Sequence, residues 1–311
     1  YMGFIKENAA YSVKQALAQF LKGGDPFEAA FEDHLDDGTL LKVKIVINGG
    51  PNPPETINAV IDFTGTGPGH CNDNLNTPIS VTRSAVLYVL RALTDSDIPL
   101  NSGCLQPIRI VIPDGSILSP VYPLPVASGN VETSQRITDV LLGALKAAAA
   151  SQGTMNNLLF QVEGETPYYE TIAGGSGASD GCPGTSGVQV HMTNTRITDP
   201  EILETRHPGV RLEKFVLRKG SGGKGRFMGG DGTIREFKFL KPAKLSIISE
   251  RRVYSPYGLE GGKPGKKGVN LLKKTNGEIV ELPHRVVRDV KKGESIIIKT
   301  PGGGGFGKNK L

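Results

Sequence analysis

The distribution of the 41 glycines in this 311-residue chain constrains its fold more than any other feature. They gather at Gly174–Gly187, Gly220–Gly232, Gly258–Gly268 and Gly302–Gly307, between segments that read as strands. One long glycine tract would be a flexible linker. Separate clusters between strand-like runs are instead loops on a folded scaffold. Glycine in them serves either tight turns or the approach of backbone N–H groups to a ligand, because it alone enters positive φ without steric cost.

Hydrophobic periodicity supplies the elements. Phe4, Ile5, Ala9, Val13, Leu17, Phe20 and Leu21 recur at helical spacing over Tyr1–Leu21, with Gly23-Gly24 as the stop. Leu40–Ile47 and Asn58–Phe63 read as an antiparallel strand pair joined through Pro51, Pro53 and Pro54. Thr77–Thr94 predicts a helix with Pro78 in its first turn, Ile108–Ile112 a short buried strand, and Thr133–Ser151 the longest helix, capped by Thr133 or Ser134. Strands dominate afterwards, at Leu158–Val162, Tyr168–Ala173, Val188–His191, Val210–Leu217, Thr233–Phe239, Leu245–Ser249 and Ser295–Ile298. Helices early and strands late predict an α+β fold whose second half is antiparallel and β-rich, with glycine-rich loops.

With 38% hydrophobic residues the chain can bury the core of one large domain or two smaller ones. The net charge of +5 comes from 36 Lys and Arg against 31 Asp and Glu, with basic residues concentrated at Arg211–Arg226 and Lys263–Lys274. They are interleaved with glycine and lack aromatic stacking partners, so they read as a solvated basic face and not a nucleic-acid surface. Cys71, Cys104 and Cys182 are too few and too scattered for a disulfide framework, which predicts a cytoplasmic protein. No apolar run approaches the roughly 20 residues that cross a bilayer, and no signal peptide opens the chain, so no membrane partner is expected. Because the chain opens at Tyr1 inside a helix, it reads as part of something longer.

Short motifs carry little. Gly220, Gly222 and Gly225 satisfy G-x-G-x-x-G, but no helix follows to make a dinucleotide site. No G-x-x-x-x-G-K-[ST] occurs. Gly177-Ala178-Ser179-Asp180-Gly181 matches a nucleophile elbow, yet Cys182-Pro183-Gly184 cannot start the required helix, so a surface turn is expected. The five histidines show no ligand spacing, and no metal site is expected within the chain. Asp33, Asp36 and Asp37 with His34 read as a solvated acidic turn before Gly38, and Asp73 between Asn72 and Asn74 as a loop residue.

Two polar clusters remain as candidate sites. In the first, His191 can act as general acid or base, while Asn194 and Arg196 can hold a carboxylate or a developing oxyanion. Asp199, Glu201 and Glu204 can orient them. The alternative for Asp199-Pro200-Glu201 is the start of a short helix with Asp199 as its cap. In the second, Asn130, Glu132, Thr133, Ser134, Gln135 and Arg136 stand at an expected helix N-terminus, where free N–H groups can receive an anionic substrate. Ser249-Glu250-Arg251-Arg252 reads equally as a structural ion pair and is left outside the site.

At these residues the chain resembles the hydantoinase B/oxoprolinase family, nearest the C-terminal part of its ATP-dependent 5-oxoprolinase branch. The matching segments are Phe63–Gly67, Asn130–Arg136, Ser151–Asn157, Tyr168–Gly177, Thr185–Arg196, Gly220–Arg235, Ser249–Gly262 and Pro301–Gly307. The resemblance implies that residues 1–311 are the C-terminal portion of such a domain, subdivided near residue 152. It implies ATP-coupled opening of a cyclic amide, 5-oxoproline to glutamate, in a homo-oligomeric enzyme. A hydantoinase A-type portion or subunit is then the partner that holds ATP and a divalent metal. Family members that are subunits of N-methylhydantoinases or ketone carboxylases give the alternative activity, and a non-catalytic assembly module gives the alternative role.

Overall fold

The computed structural model describes residues 1–21, 25–50, 52–71, 74–94 and 98–309. Gly23-Gly24, Pro51 and the pair Asn72-Asp73 lie outside them. The chain forms two compact units, Tyr1–Leu145 and Lys146–Leu311.

In the first unit, helix α1 (Met2–Ala18) buries Ala9, Val13, Ala16 and Leu17, one stripe at helical spacing. Strands β1 (Phe27–His34), β2 (Leu40–Asn48), β3 (Asn58–Asp62) and, beyond helix α2 (Ile79–Ala92), β4 (Ile108–Val111) form one sheet in chain order. The expected antiparallel β2–β3 pair is present. β4 lies parallel to β3, as a crossover through an intervening helix permits. Leu41, Val43, Ile45 and Ile47 of β2 alternate inward, and Ile45 and Ile61 share a small apolar void with Leu17, Val86 and Leu141. One sheet face thereby takes the helices.

The third helix departs from expectation at both ends. A π-helical turn, Gly129–Thr133, runs directly into α3 (Ser134–Ala144). The helix ends at Ala144, short of the expected Ser151, because Lys146 adopts φ 53. Beyond it, the N–H groups of Ala149 and Ala150 bond to the carbonyls of Ala178 and Tyr257 at 2.9 and 3.1 Å. Strand β1 was not expected. Its inward positions are only half-buried, so its hydrophobic alternation is weak.

The second unit holds strands β5 (Asn157–Val162) and β6 (Tyr168–Thr171), helix α4 (Pro200–Arg206), then β7 (Val210–Leu217), β8 (Thr233–Phe239), β9 (Ala243–Ile248), β10 (Val269–Lys273), β11 (Ile279–Leu282), β12 (Arg285–Val290) and β13 (Ser295–Lys299). They make two sheets, ordered β12-β9-β5-β6 and β11-β10-β13-β8-β7, with every neighbouring pair antiparallel. Leu158, Phe160, Leu245 and Ile247 of one sheet and Phe237, Phe239, Ile296 and Ile298 of the other belong to one buried apolar cluster. This is the core of a two-sheet sandwich. The α+β assignment and the β-rich second half therefore hold. Val188–His191 is not a strand. Only the Gly174–Val188 bridge pairs there, and the Gln189 amide turns back to the Thr171 carbonyl at 3.1 Å.

The glycine clusters are neither mainly turns nor open amides. They are extended segments stacked backbone on backbone. A Cβ on Gly175 would sit 1.9 Å from the Gly230 carbonyl oxygen, one on Gly177 would sit 1.9 Å from that of Ala149, and one on Gly222 would sit 2.0 Å from that of Gly229. The segments are bonded to each other through Gly303 N–H to Gly230 O (2.9 Å), Gly230 N–H to Ser176 O (2.9 Å), Gly223 N–H to Gly303 O (2.8 Å) and Gly265 N–H to Pro256 O (2.9 Å). Only residues without side chains allow this spacing, and each buried amide finds its partner in the next segment. The G-x-G-x-x-G match at Gly220–Gly225 and the G-x-S-x-G match at Gly177–Gly181 both fall in this bundle. Ser179 pairs there with Cys182 in a turn.

Candidate functional site

The His191–Glu204 cluster lies on an irregular segment of the second unit that leads into α4. His191 is half-buried and held at φ 52, a conformation that costs a non-glycine residue about 1–2 kcal/mol. Asn194, Arg196, Asp199 and Glu201 are exposed. The short helix expected at Asp199 is α4, with Pro200 in its first turn and Glu201 beside its positive end. The Asp199 side chain makes no capping bond, and its carbonyl accepts from Leu203 N–H at 2.9 Å. Glu204 points away from this group and accepts the Leu212 N–H at 2.9 Å. His191, Asn194, Arg196, Asp199 and Glu201 thus share one solvent-facing segment, and Glu204 serves the neighbouring strand.

Three contacts fix the segment. Thr195 and Thr171 are joined through their hydroxyls, the Arg235 guanidinium donates to the Thr198 carbonyl at 3.3 Å, and Gln189 holds Thr171. The anchor is a buried ion pair that sequence reading missed. Arg235 on β8 grips Glu170 on β6 through Nε and Nη2 at 2.7 and 2.9 Å, with the two side chains 0% and 2% exposed. The guanidinium lies 4.9 and 5.1 Å from the ring centroids of Phe215 and Phe237. Tyr168 donates to Glu170 at 2.8 Å, and burial, then the Glu170 charge, push its phenol well above the ordinary tyrosine range. It stays a proton donor to Glu170.

The Asn130–Arg136 cluster lies in the first unit and is built differently from expectation. Asn130 is exposed, whereas Glu132, Thr133, Ser134, Gln135 and Arg136 are 0% exposed. The α-helix starts at Ser134, as expected, but with no free N-terminus there. The π-turn continues into it, and the Ser134 N–H bonds to the Gly129 carbonyl. Thr133 donates to the Leu75 carbonyl at 2.5 Å and Ser134 to that of Asn130 at 2.6 Å, so neither side chain caps. Arg136 reaches the Asp33 carboxylate at 3.2 Å and the His34 carbonyl at 2.5 Å. Asp33 is therefore an ion-pair partner and Asp36 is 7% exposed, which corrects the solvated acidic turn expected there. Two sequence-distant polar groups meet at this point.

Ser249–Arg252, set aside on sequence, belongs to a second buried network with Ser151–Asn157. Arg252 donates to Asn156 Oδ1 (2.6 Å), the Glu250 carbonyl (2.7 Å) and Asn270 Oδ1 (2.7 Å). Asn156 in turn donates to Gln152 at 2.8 Å, and Thr154 Oγ1 accepts from the N–H groups of Glu250 and Asn156 at 3.1 and 3.0 Å. Asn156 at φ 48 and Arg251 at φ 65 are both left-handed. Two polar runs almost one hundred residues apart, each too polar for its buried strand end, were the available signal.

The two-sheet sandwich and the helical unit can now be placed among known proteins. The hydantoinase B/oxoprolinase family model matches residues 1–309. The chain belongs to the hydantoinase B/oxoprolinase family. It is 47% identical to a 5-oxoprolinase of Dictyostelium discoideum over 99% of its own length and 24% of that protein. It superposes on the ATP-dependent caprolactamase from Pseudomonas jessenii with TM-score 0.80 at 18% identity, covering 97% of this chain and 55% of the other. An acetone carboxylase in its nucleotide-free form gives TM-score 0.78 at 15% identity, over 97% and 47%. These two likenesses concern the fold. The chain spans about a quarter of the length of the 5-oxoprolinase relatives it matches.

Proposed function

We propose that this chain is the hydantoinase B-type portion of an ATP-dependent cyclic amidase that opens 5-oxoproline to glutamate. The supporting observation is the 47% identity to a 5-oxoprolinase over 99% of the chain. In this reading water adds across the lactam C–N bond, and the ring nitrogen leaves as the amine with the transferred proton. Arg196 and Asn194 hold the substrate carboxylate or the developing oxyanion, and His191 moves the proton. Asp199 and Glu201 set the field at the start of α4, and within the first unit the buried run Glu132–Arg136 fixes the turn that carries the exposed Asn130.

ATP and its divalent metal supply activation from a hydantoinase A-type portion or partner subunit. The residues here do not fit that group. Among the described residues no three His, Cys, Asp or Glu side chains converge as a metal site, and the glycine amides that could cradle phosphate are bonded to neighbouring backbone or, at Gly220 and Gly222, to the Asp231 carboxylate. We therefore derive no step through ATP. We place the protein in the cytoplasm as a homo-oligomer. Its cysteines are free thiols, and among the described residues no helix is long and apolar enough to cross a membrane.

The closed glycine bundle and the buried Glu132–Arg136 run favour a second reading, in which this chain is an assembly module and chemistry resides elsewhere. Measuring 5-oxoproline-dependent ADP release by the complete enzyme separates the two. His191→Ala and Arg196→Ala should each lower coupled turnover by roughly 10²-fold or more. Retained turnover in both variants overturns the residue assignments and supports the assembly role. A complete enzyme with no 5-oxoproline-dependent turnover moves the substrate to a hydantoin or, for a carboxylase, a ketone.

A further inference from the structure

Strand β7 ends its sheet in the order β11-β10-β13-β8-β7, so among the described residues one of its edges has no strand partner. Its backbone geometry identifies the groups on that edge. Arg218 N–H donates inward to the Gly232 carbonyl at 2.8 Å. Inward and outward N–H groups alternate along an antiparallel ladder, so Val216 also points inward, and Phe215 and Leu217 present N–H and C=O to the outside. The other end agrees. Leu212 N–H points outward, and the ladder shifts register between Leu212 and Lys214. Its acceptor is the Glu204 carboxylate, which occupies the place a neighbouring strand's oxygen would take.

The side chains are as open as the edge. Phe215, Val216 and Leu217 are consecutive and 40%, 43% and 46% exposed, which is unusual on an edge strand, where charge, proline or cover normally prevents pairing. Around them stand Arg211, Lys214, Arg218 and Lys219. Of the acids nearby, Glu213 is taken by Arg211 at 3.0 Å, Glu204 by the Leu212 N–H, and Glu236 stands across the ladder from Lys214. We propose that β7 is a docking edge that receives an extended, acidic segment of a partner protein by strand addition. Apolar residues of that segment would cover Phe215 and Leu217, and its carboxylates would meet Lys214 and Lys219, as Glu204 already meets Leu212. A second copy of β7 fits less well, because cations would face cations in a chain that carries +5.

Hydrogen exchange of the 311-residue chain, read over residues 210–219 by mass spectrometry, tests this with a synthetic strand of roughly nine residues alternating Val and Glu. The acidic peptide should slow exchange in β7 roughly tenfold, and the protection should fade as salt rises from about 0.05 to about 0.5 M. A Val and Lys peptide should leave exchange unchanged. Leu217→Pro removes only an outward donor, so it should keep the circular dichroism spectrum and lose the protection. Val216→Pro removes an inward donor and should destabilise the sheet. No protection by the acidic peptide at millimolar concentration overturns the proposal, as does equal protection by both peptides. Protection that grows with protein concentration without peptide, together with a doubled mass in light scattering, overturns it in favour of self-pairing.

Discussion

Replacing Gly303 by alanine should cripple the fold, although it adds only one methyl group. A Cβ there would lie 1.9 Å from the Ser176 carbonyl oxygen and 2.2 Å from its carbon. Both are backbone atoms, so no rotamer change relieves the contact. Since real Cβ contacts below 3.0 Å essentially never occur, the segments must part by about an ångström in a close-packed interior. That movement strains three buried bonds, Gly303 N–H to Gly230 O, Gly230 N–H to Ser176 O and Gly223 N–H to Gly303 O. A buried amide left without its partner costs about 1–3 kcal/mol, and overpacking alone costs a similar amount. A loss of roughly 3–6 kcal/mol follows, a large part of the 5–15 kcal/mol typical of a domain. Gly164 is the control. It sits at φ +79, and a Cβ added there would have nothing within 4 Å, so Gly164→Ala should cost only the left-handed penalty of about 1–2 kcal/mol. The chain has no tryptophan, so urea unfolding is followed by far-ultraviolet circular dichroism. If the unfolding free energy of Gly303→Ala lies within about 1 kcal/mol of that of Gly164→Ala, the backbone-packing explanation of the glycine clusters is wrong.

Three further outcomes are expected. Glu170→Gln or Arg235→Met alone should destabilise the second unit by about 3–5 kcal/mol, because each leaves the other charge buried; the double variant Glu170→Leu/Arg235→Met should recover most of that loss in the same unfolding assay. Tyr168 holds its proton more tightly folded than unfolded, so its contribution is intact below the unfolded phenol pKa of about 10 and is lost as pH rises beyond it; Tyr168→Phe should therefore flatten the alkaline fall in stability, and an unchanged slope in urea titrations above about pH 10 would count against the assignment. Cys71 and Cys182 are exposed and Cys104 is 0% exposed, so a thiol reagent should label two cysteines in the native protein and the third only in denaturant.

The sequence disclosed the fold where periodicity meets one-sided burial. Leu41, Val43, Ile45 and Ile47 alternate so cleanly that β2 could be read directly, and Val13 and Leu17 mark the inner stripe of α1. It misled where burial is not one-sided. Helix α3 is almost wholly buried, polar residues included, so Thr133 and Ser134 looked like caps when their hydroxyls serve carbonyls at Leu75 and Asn130. β10, β11 and β12 went unread because they are short and their glycine and lysine neighbours resemble loops. The site was legible as composition and not as geometry. Polar density flagged both Asn130–Arg136 and His191–Glu204, yet the first run is largely interior and the second largely exposed. Glu170 and Arg235, which fix the second, sit in runs that look like ordinary alternating strands.

The glycine clusters show what spacing can still disclose once their role is known. Gly302, Gly303, Gly304 and Gly305 are consecutive, and their missing side chains would each meet a different backbone, at the carbonyls of Ser221, Ser176, Tyr257 and Lys224, within 1.9–2.5 Å. A segment closed on every side cannot carry a side chain at any position, so it must be the centre of the bundle. The outer segments keep glycine where they face a neighbour or, at Gly181 and Gly220, where the chain turns through positive φ. In Gly222-Gly223-Lys224-Gly225-Arg226 the glycines meet backbone atoms at 2.0–2.7 Å while Lys224 and Arg226 face solvent. Unbroken glycine therefore marks the axis, and glycine interrupted by lysine or arginine marks the rim. The concentration of basic residues late in the chain follows from the same geometry, because the rim positions are the ones on these segments free to hold a long, solvated side chain.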